Sequence, residues 1–362
     1  MERRPQRLRA LRAALIERGV DALLVTSLPN IRYLTGFTGS NALLVASVEA
    51  HPMLLTDFRY AAQVGSEVGE FARVRIEPAS LWDGLRETLS NISGGPRIAF
   101  ESAHCSHADF ERLAPLAGRW QFRPSTGVVE ALREKKDAGE LGHIREAVRI
   151  AEAALERTIR EVRVGLTERQ VAGLLEHHLR DLGSEAAPFE TIVASGERSA
   201  LPHARATSRA IGAGEFLLID FGATHEGYCS DITRTFAIQS VNPEMREIHD
   251  IVREANLTAS GSVRVGMRGR DADALARSYI ASRGYGEAFG HSLGHGIGLE
   301  VHEGPRLART ADAPLPAGAV VTIEPGIYRP GWGGVRIEDD VHLSAAGPEV
   351  LTSFPRELMV IG

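Results

Sequence analysis

Two acid-bearing segments of the chain are built alike. One is Phe216-Leu-Leu-Ile-Asp220-Phe-Gly222, a short turn, then Tyr228-Cys-Ser-Asp231-Ile-Thr-Arg-Thr-Phe236. The other is Val320-Val-Thr-Ile-Glu324-Pro-Gly326, a loop with Gly and Trp, then Val335-Arg-Ile-Glu338-Asp-Asp-Val341. In each, an apolar run ends in an acid, a glycine follows, and a second acid enters another strand-like run. A single acid before Gly at a strand end usually serves a turn or a cap. The doubled arrangement argues for more. An acid directly after Leu-Leu-Ile or Val-Val-Thr-Ile sits where burial is expected, and a buried carboxylate stays charged only beside a cation or hydrogen-bond donors. With few Lys or Arg nearby in sequence, Asp220, Asp231, Glu324 and Glu338 point to metal. Asp339 and Asp340 flank Glu338. Strand alternation lets at most one of the three share its face, so the flanking pair is expected in solvent or in a turn.

Histidines add to this set. Gly290-His291-Ser-Leu-Gly-His295-Gly-Ile-Gly-Leu-Glu-Val-His302-Glu303 holds three of the thirteen in the chain. Any one of them alone would read as a satisfied core or surface histidine. Imidazole with several carboxylates suits Mn, Co, Fe or Zn, and the lack of thiolate argues against a structural zinc. One His with four carboxylates exceeds what one ion needs, whereas two ions sharing bridging carboxylates use them all.

Rival motifs fit less well. Gly290-His291-Ser292-Leu293-Gly294 matches a Gly-x-Ser-x-Gly nucleophile elbow, which would make Ser292 the nucleophile of a serine hydrolase. That elbow needs a buried strand before it and a helix after it. Here Gly284-Tyr-Gly-Glu-Ala-Phe precedes and Gly-His-Gly-Ile-Gly follows. The helical His-Glu-x-x-His zinc signature is absent, and Gly284, Gly286 and Gly290 lack the dinucleotide-fingerprint spacing.

The elements that must position these residues follow from periodicity. The first part reads as α/β: a helix over 5–18 ending at Gly19, apolar strands at 22–25, 42–45, 53–55 and 98–100, and helices near 81–90 and 107–116. Around 130–140 the composition turns to Glu, Lys and Arg, and the domain boundary is expected there, between 1–132 and 133–362. Beyond it, Ile144, Val148, Ala151, Leu155, Ile159 and Val162 form one helical stripe. Thr167 with Gln170 signals a capping box for a second helix that turns Val171, Leu174, Leu175 and Leu179 inward. After residue 189 the texture is mostly strand, with helices near 243–260 and 271–283. The two acid-bearing segments read as a weak internal repeat of strand pairs, each offering a carboxylate from both strands.

The bulk numbers are those of a soluble globular protein. The chain has 362 residues, 43% hydrophobic and 24% charged, with a net charge of −6. No basic patch suggests nucleic acid or an anionic membrane, and no run reaches the length of a membrane span. The Arg-rich start is amphipathic and helical, unlike a signal peptide. Two cysteines, Cys105 and Cys229, make no disulfide framework, so a reducing cytoplasm is the simplest compartment. A non-catalytic binding protein on the same scaffold is the reading from another class; it would need no metal.

Taken in order, Ile219-Asp220-Phe-Gly, Cys229-Ser-Asp231-Ile-Thr-Arg-Thr-Phe, Gly294-His295-Gly-Ile-Gly, Thr322-Ile-Glu324-Pro-Gly and Arg336-Ile-Glu338-Asp-Asp resemble the motifs of the pita-bread-fold metallopeptidases. The resemblance is to their proline-directed branch, the Xaa-Pro dipeptidases (prolidases) and aminopeptidase P. The segment Thr56-Asp-Phe-Arg-Tyr60 resembles the creatinase-like N-terminal domain of that branch. The resemblance implies an α/β creatinase-like domain followed by an α+β pita-bread catalytic domain. It implies that Asp220 chelates one ion, that Asp231 and Glu338 bridge two, and that His295 and Glu324 each bind one. His203, in Leu201-Pro-His-Ala-Arg-Ala-Thr, matches the family's substrate-facing histidine, and His291 and His302 match its other two. Arg336 matches the arginine beside the last ligand. A metal-bridging hydroxide would be the nucleophile, with Glu324 carrying its proton, His302 and His203 stabilising the oxyanion or holding the peptide, and His291 and Arg336 on the proline side. Mn2+ is the first expectation, with Co2+ or Zn2+ next. A homodimer acting on short Xaa-Pro peptides is implied, with the dipeptidase favoured over an aminopeptidase P that releases the first residue of longer peptides.

Overall fold

A computed structural model describes residues 3–90 and 95–362. The chain divides into two compact units, Met1–Arg133 and Glu134–Gly362. Among the described residues no helix is long and apolar enough to cross a membrane.

The first unit runs α1 (Arg4–Glu17), β1 (Ala22–Val25), α2 (Leu28–Thr35), β2 (Ala42–Ser47), β3 (Met53–Asp57), α3 (Ala61–Val68), β4 (Arg73–Glu77), α4 (Leu81–Ser90), β5 (Arg97–Glu101), α5 (His107–Leu113), β6 (Gln121–Ser125) and α6 (Glu130–Arg133). Its strands form one mixed sheet in the order β4-β3-β2-β1-β5-β6. The four apolar runs of the sequence are its inner strands, packed around Leu24, Val45, Leu55, Leu85, Ile98 and Phe100. The two edges, β4 and β6, carry Arg, Gln and Pro and are largely exposed, so they offer no apolar run to recognise. Helix α2 was also unanticipated. Its signals are a proline in its first turn and left-handed Gly36 at its end.

The second unit opens with α7 (Ala138–Ile159) and α8 (Glu168–Asp181). Asp137 caps α7, accepting from the N–H groups of Gly139 and Glu140, which starts the helix six residues before its first apolar stripe position at Ile144. Val162 is buried just past the end of that helix. Thr167 and Gln170 form the expected box on α8, and Leu174 is only half-buried beside Val171, Leu175 and Leu179. There follow β7 (Ile192–Ser195), β8 (Phe216–Phe221), β9 (Thr224–His225), β10 (Tyr228–Cys229), β11 (Ile232–Ile238), α9 (Pro243–Ser262), α10 (Gly269–Ser282), β12 (Gly294–Gly296), β13 (Glu303–Leu307), β14 (Val320–Ile323), β15 (Gly326–Arg329), β16 (Gly333–Arg336), β17 (Asp339–Ser344), β18 (Gly347–Val350) and β19 (Val360–Ile361).

Two sheets position the acids, one in the order β19-β11-β8-β7 and the other β13-β12-β14-β17-β18. The repeat read from the sequence takes physical form here. Strand β8 pairs antiparallel with β11, with Asp220 opposite Thr233, and the small β9–β10 ribbon lies between them in sequence. Strand β14 pairs antiparallel with β17, with Ile323 opposite Asp339, and the β15–β16 ribbon lies between them. The two ladders are stitched together: the Glu338 N–H donates to the Thr233 carbonyl at 3.1 Å, and the Asp231 N–H donates to Asp340 Oδ2 at 3.2 Å. Asn256 on α9 donates to the carbonyls of Ile323 and Ile337, locking the helix to the turns that carry Glu324 and Glu338.

Strand β12 sits between β13 and β14. A Cβ at Gly294 would collide with the Thr322 backbone, and one at Gly296 with the Gly304 backbone. The glycines on both sides of His295 therefore let three strands close up around it.

Candidate metal centre

Each sheet delivers its acids at strand ends. Asp220 is the fifth residue of β8, Asp231 immediately precedes β11, Glu324 immediately follows β14, Glu338 immediately precedes β17, and His295 is the middle residue of β12. These five line one cavity of 920 Å3, together with His203, His291, His302 and Arg336. All nine residues singled out in the sequence thus face a common space within the second unit.

Asp231, His295 and Glu338 each offer a donor atom within 4.8 Å of the others. His295 Nε2 lies 3.7 Å from Asp231 Oδ2 and 3.6 Å from Glu324 Oε1. Its Nδ1 is 3.1 Å from the Gly296 carbonyl, a partner that can only accept, so Nδ1 carries the proton and the Nε2 lone pair faces the acids. Burial, with His302 beside it, pulls the His295 pKa down to about 4, so the ring is neutral at pH 7.

Without a cation the acids repel one another. Burial first, and Asp220 second, push Glu338 up to about 8. Burial and Glu338 likewise hold Asp231 and Glu324 well above the ordinary carboxylate range. Asp220 Oδ1 and Asp231 Oδ1 are buried and have no hydrogen-bond partner among the described residues. A buried carboxylate oxygen left unpaired costs about 1–3 kcal/mol or more. Oxygen donors crowded together, two of them orphaned, plus one imidazole lone pair make a set that fits divalent cations.

Neighbouring residues hold this set in place, and several escaped the sequence reading. Thr233 donates its hydroxyl to Glu338 Oε2 at 2.6 Å and accepts from Arg336 Nε at 3.1 Å. Thr322 Oγ1 accepts the His295 N–H. The buried Tyr328 places its hydroxyl 2.7 Å from Arg336 Nη1 and 2.8 Å from His291 Nε2. Arg336 Nη2 donates to Asp220 Oδ2 at 2.6 Å. Its guanidinium therefore engages Asp220, Tyr328 and Thr233, where the sequence reading gave it the substrate's proline side. Thr233 was findable as the strand partner of Asp220, whereas Tyr328 gave no signal beyond lying two residues past Gly326.

Asp339 and Asp340 are corrected. Both were expected in solvent or in a turn, and both are completely buried at the start of β17. Alternation does put Asp339 on the face opposite Glu338, but that face is covered. Arg234 Nη2 donates to Asp339 Oδ1 at 2.8 Å, Arg356 Nε to Oδ2 at 2.6 Å, and Thr352 to Oδ1 at 2.6 Å. Asp340 shares the Glu338 face and receives the Asp231 N–H. The expectation of few cations nearby fails for the same reason: Arg234 and Arg336 are both buried among the acids.

His203, His291 and His302 line the same cavity. His203 and His302 are exposed, and the His302 ring stands edge-on to His295 with centroids 4.4 Å apart. His291 Nδ1 faces the Ser292 carbonyl at 2.8 Å. Ser292 lies in a loop after the short 3-10 turn Gly286–Ala288 and leads into strand β12. No helix follows it, so the nucleophile-elbow geometry is missing.

Residues 142–345 match the model of metallopeptidase family M24, and residues 7–135 match that of the creatinase/prolidase N-terminal domain. An Xaa-Pro dipeptidase of Pyrococcus horikoshii is 36% identical over 341 residues, 94% of this chain and 95% of its own length. A solved Xaa-Pro dipeptidase from Bacillus anthracis is similar with a TM-score of 0.95 and 39% identity, over 99% of this chain and 100% of that one. A solved X-Pro aminopeptidase from Thermotoga maritima has a TM-score of 0.90 and 41% identity, over 98% and 99% of the two chains.

Proposed function

The chain belongs to metallopeptidase family M24 with a creatinase/prolidase N-terminal domain, and from that premise we propose that it hydrolyses the Xaa-Pro bond of short peptides as an Xaa-Pro dipeptidase. The observation that carries the reading is the cavity itself, where four acids and a neutral imidazole converge and two buried carboxylate oxygens lack partners among the described residues. In this reading residues 1–132 are the creatinase-like domain and 133–362 the catalytic one.

Asp220, Asp231, His295, Glu324 and Glu338 would hold two divalent ions. The oxygen-rich donors favour Mn2+, with Co2+ or Zn2+ as alternatives. Such ions, when bound, lower the pKa of water and polarise the scissile carbonyl. Glu324, which lines the cavity, takes the proton of the attacking water and passes it to the leaving proline nitrogen. His302 and His203 face the cavity from exposed positions and donate to the oxyanion that develops on the carbonyl. His291 walls the proline side, while Arg336, buried, orients Asp220. An Xaa-Pro bond is a tertiary amide without an N–H, so no acceptor is needed for it. The protein would act as a homodimer in the cytoplasm, a setting consistent with the two free cysteines, Cys105 and Cys229.

A second reading, aminopeptidase P activity on longer peptides, is favoured by the 41% identity to the Thermotoga maritima protein. The test is chelation followed by Mn2+ add-back, assayed on Ala-Pro and Leu-Pro against Arg-Pro-Pro. The dipeptidase reading expects metal-dependent cleavage of the dipeptides and little of the tripeptide. The reverse preference would establish the second reading, and activity that survives chelation would refute both.

A further inference from the structure

Helix α10 carries an ion pair, its Asp273 buried and its Arg277 partly buried, whose hydrogen bonds leave the helix. Arg277 grips Asp273 one turn away through two bonds, Nε to Oδ2 at 2.6 Å and Nη2 to Oδ1 at 2.7 Å. A pair at this spacing ordinarily steadies a helix by a few tenths of a kcal/mol and does nothing else. Here the rest of the fork is aimed at one loop. Arg277 Nη1 donates to the Phe289 carbonyl at 2.8 Å, and Nη2 donates to the His291 carbonyl at 2.7 Å. Asp273 Oδ1 accepts the Leu293 N–H at 3.0 Å. The guanidinium also lies 4.1 Å above the Phe289 ring, and that ring meets His291 edge-on with centroids 5.1 Å apart. Neither Asp273 nor Arg277 lines the cavity.

Three backbone groups of Phe289–Leu293 are thus held by two side chains of one helix. This loop lacks helix or strand of its own and leads straight into the strand of His295. From the gripped residue the bonding continues inward. The His291 ring meets the Tyr328 hydroxyl, that hydroxyl accepts from Arg336, and Arg336 holds Asp220.

We propose that Asp273 and Arg277 are positioning residues that set His291 in the cavity and, through Tyr328 and Arg336, fix the orientation of Asp220. This rests on the reading of the cavity as an Xaa-Pro peptidase site. A planar fork with five donors can hold one carboxylate and two carbonyls at once, which the ammonium of lysine cannot do in the same geometry.

The experiment compares wild type, Arg277→Lys and Asp273→Asn, each loaded with Mn2+, for kcat/KM on Leu-Pro, metal content and far-UV circular dichroism. Both variants should fold and lose roughly 10- to 100-fold in kcat/KM, the effect of a misplaced site. In a His291→Ala background the same substitutions should cost less than about two-fold, because residues acting through one another are not additive. Wild-type kcat/KM in both variants, an undiminished loss in the His291→Ala background, or failure of both variants to fold would overturn the proposal. A wild type inert on every Xaa-Pro peptide would instead sink the functional reading. The proposal is then judged on the His291 ring resonances of protein labelled at histidine nitrogen and assigned with His291→Ala. Arg277→Lys should shift or broaden them, and unmoved resonances overturn it.

Discussion

Replacing Asp339 tests whether the strand after Glu338 is anchored from behind. Its carboxylate lies 2.8 Å from Arg234 and 2.6 Å from Arg356, with Thr352 donating at 2.6 Å. At an effective dielectric of 20, each contact with a guanidinium is worth about 6 kcal/mol of Coulomb attraction. Desolvating the ions takes back several kcal/mol apiece, so the assembled cluster is nearly neutral for stability. Removing one member is not. In Asp339→Ala the Arg234 guanidinium, 3% exposed, stays buried with its carbonyl partners but without its counter-charge. The expected loss is about 3–5 kcal/mol. Asp339→Asn keeps one acceptor oxygen for Arg234 and Thr352 and turns its amide toward Arg356, which is 20% exposed and can reach water. Its loss should be near 2 kcal/mol. Urea unfolding at neutral pH, followed by far-UV circular dichroism, measures both. Burial pushes the Asp339 carboxyl upward, but the two guanidinium groups and Thr352 bring it below the ordinary value. A depressed pKa stabilises above the unfolded value and fades as pH falls through the folded one, so the gap between wild type and Asn should narrow below about pH 4. A loss under about 1 kcal/mol in Asp339→Ala would show a solvated surface acid and refute the argument.

Three further outcomes are expected. Asp231→Asn removes a charge from the crowded acids and should reduce bound Mn2+ by elemental analysis and Leu-Pro hydrolysis by more than about 100-fold; full metal with normal turnover would end the metal reading. Thr233→Val, which deletes the hydroxyl shared by Glu338 and Arg336, should lower activity or metal affinity roughly 10- to 100-fold in a protein that still folds, and an unchanged titration of metal would contradict this. His249 on α9 is buried, and its pKa is pulled down to about 3 by burial, then by Arg253 and Arg234. The unfolded chain takes up the proton that the folded one refuses, so wild type should lose about 3 kcal/mol more than His249→Gln between pH 6.5 and 4, and parallel stability curves would falsify the assignment.

The site was legible where local chemistry and distant neighbours agree. Acids placed directly after Leu-Leu-Ile or Val-Val-Thr-Ile read as buried; Asp220 is buried, and Glu324 is only partly so, because it faces the cavity. The strand pairs could be read because each repeats the same run, acid and glycine. The capping signals at Thr167 and Gln170 are purely local and show directly in α8. What escaped depends on contacts across the chain. Whether the back face of β17 meets water or Arg234 and Arg356 is decided by residues 105 and 17 positions away from Asp339. Tyr328 looks like any aromatic of a β-ribbon until His291 and Arg336, 37 and 8 residues away, arrive on either side of its hydroxyl. Edge strands β4 and β6 lie at the rim, where polar residues are tolerated and the apolar pattern vanishes.

The pairing of β8 with β11 and of β14 with β17 has a consequence for how the centre fails. Every acid donor sits on or beside a strand whose ladder partner carries another. A slip of either ladder by one residue would turn the side chains of the slipped strand to the opposite face, carrying its donor out of the cavity and away from the donor on its partner. Graded loosening is therefore closed to this centre: under denaturant the capacity to bind metal should vanish in one cooperative step, together with the sheet signal, and never as a slow decline ahead of it.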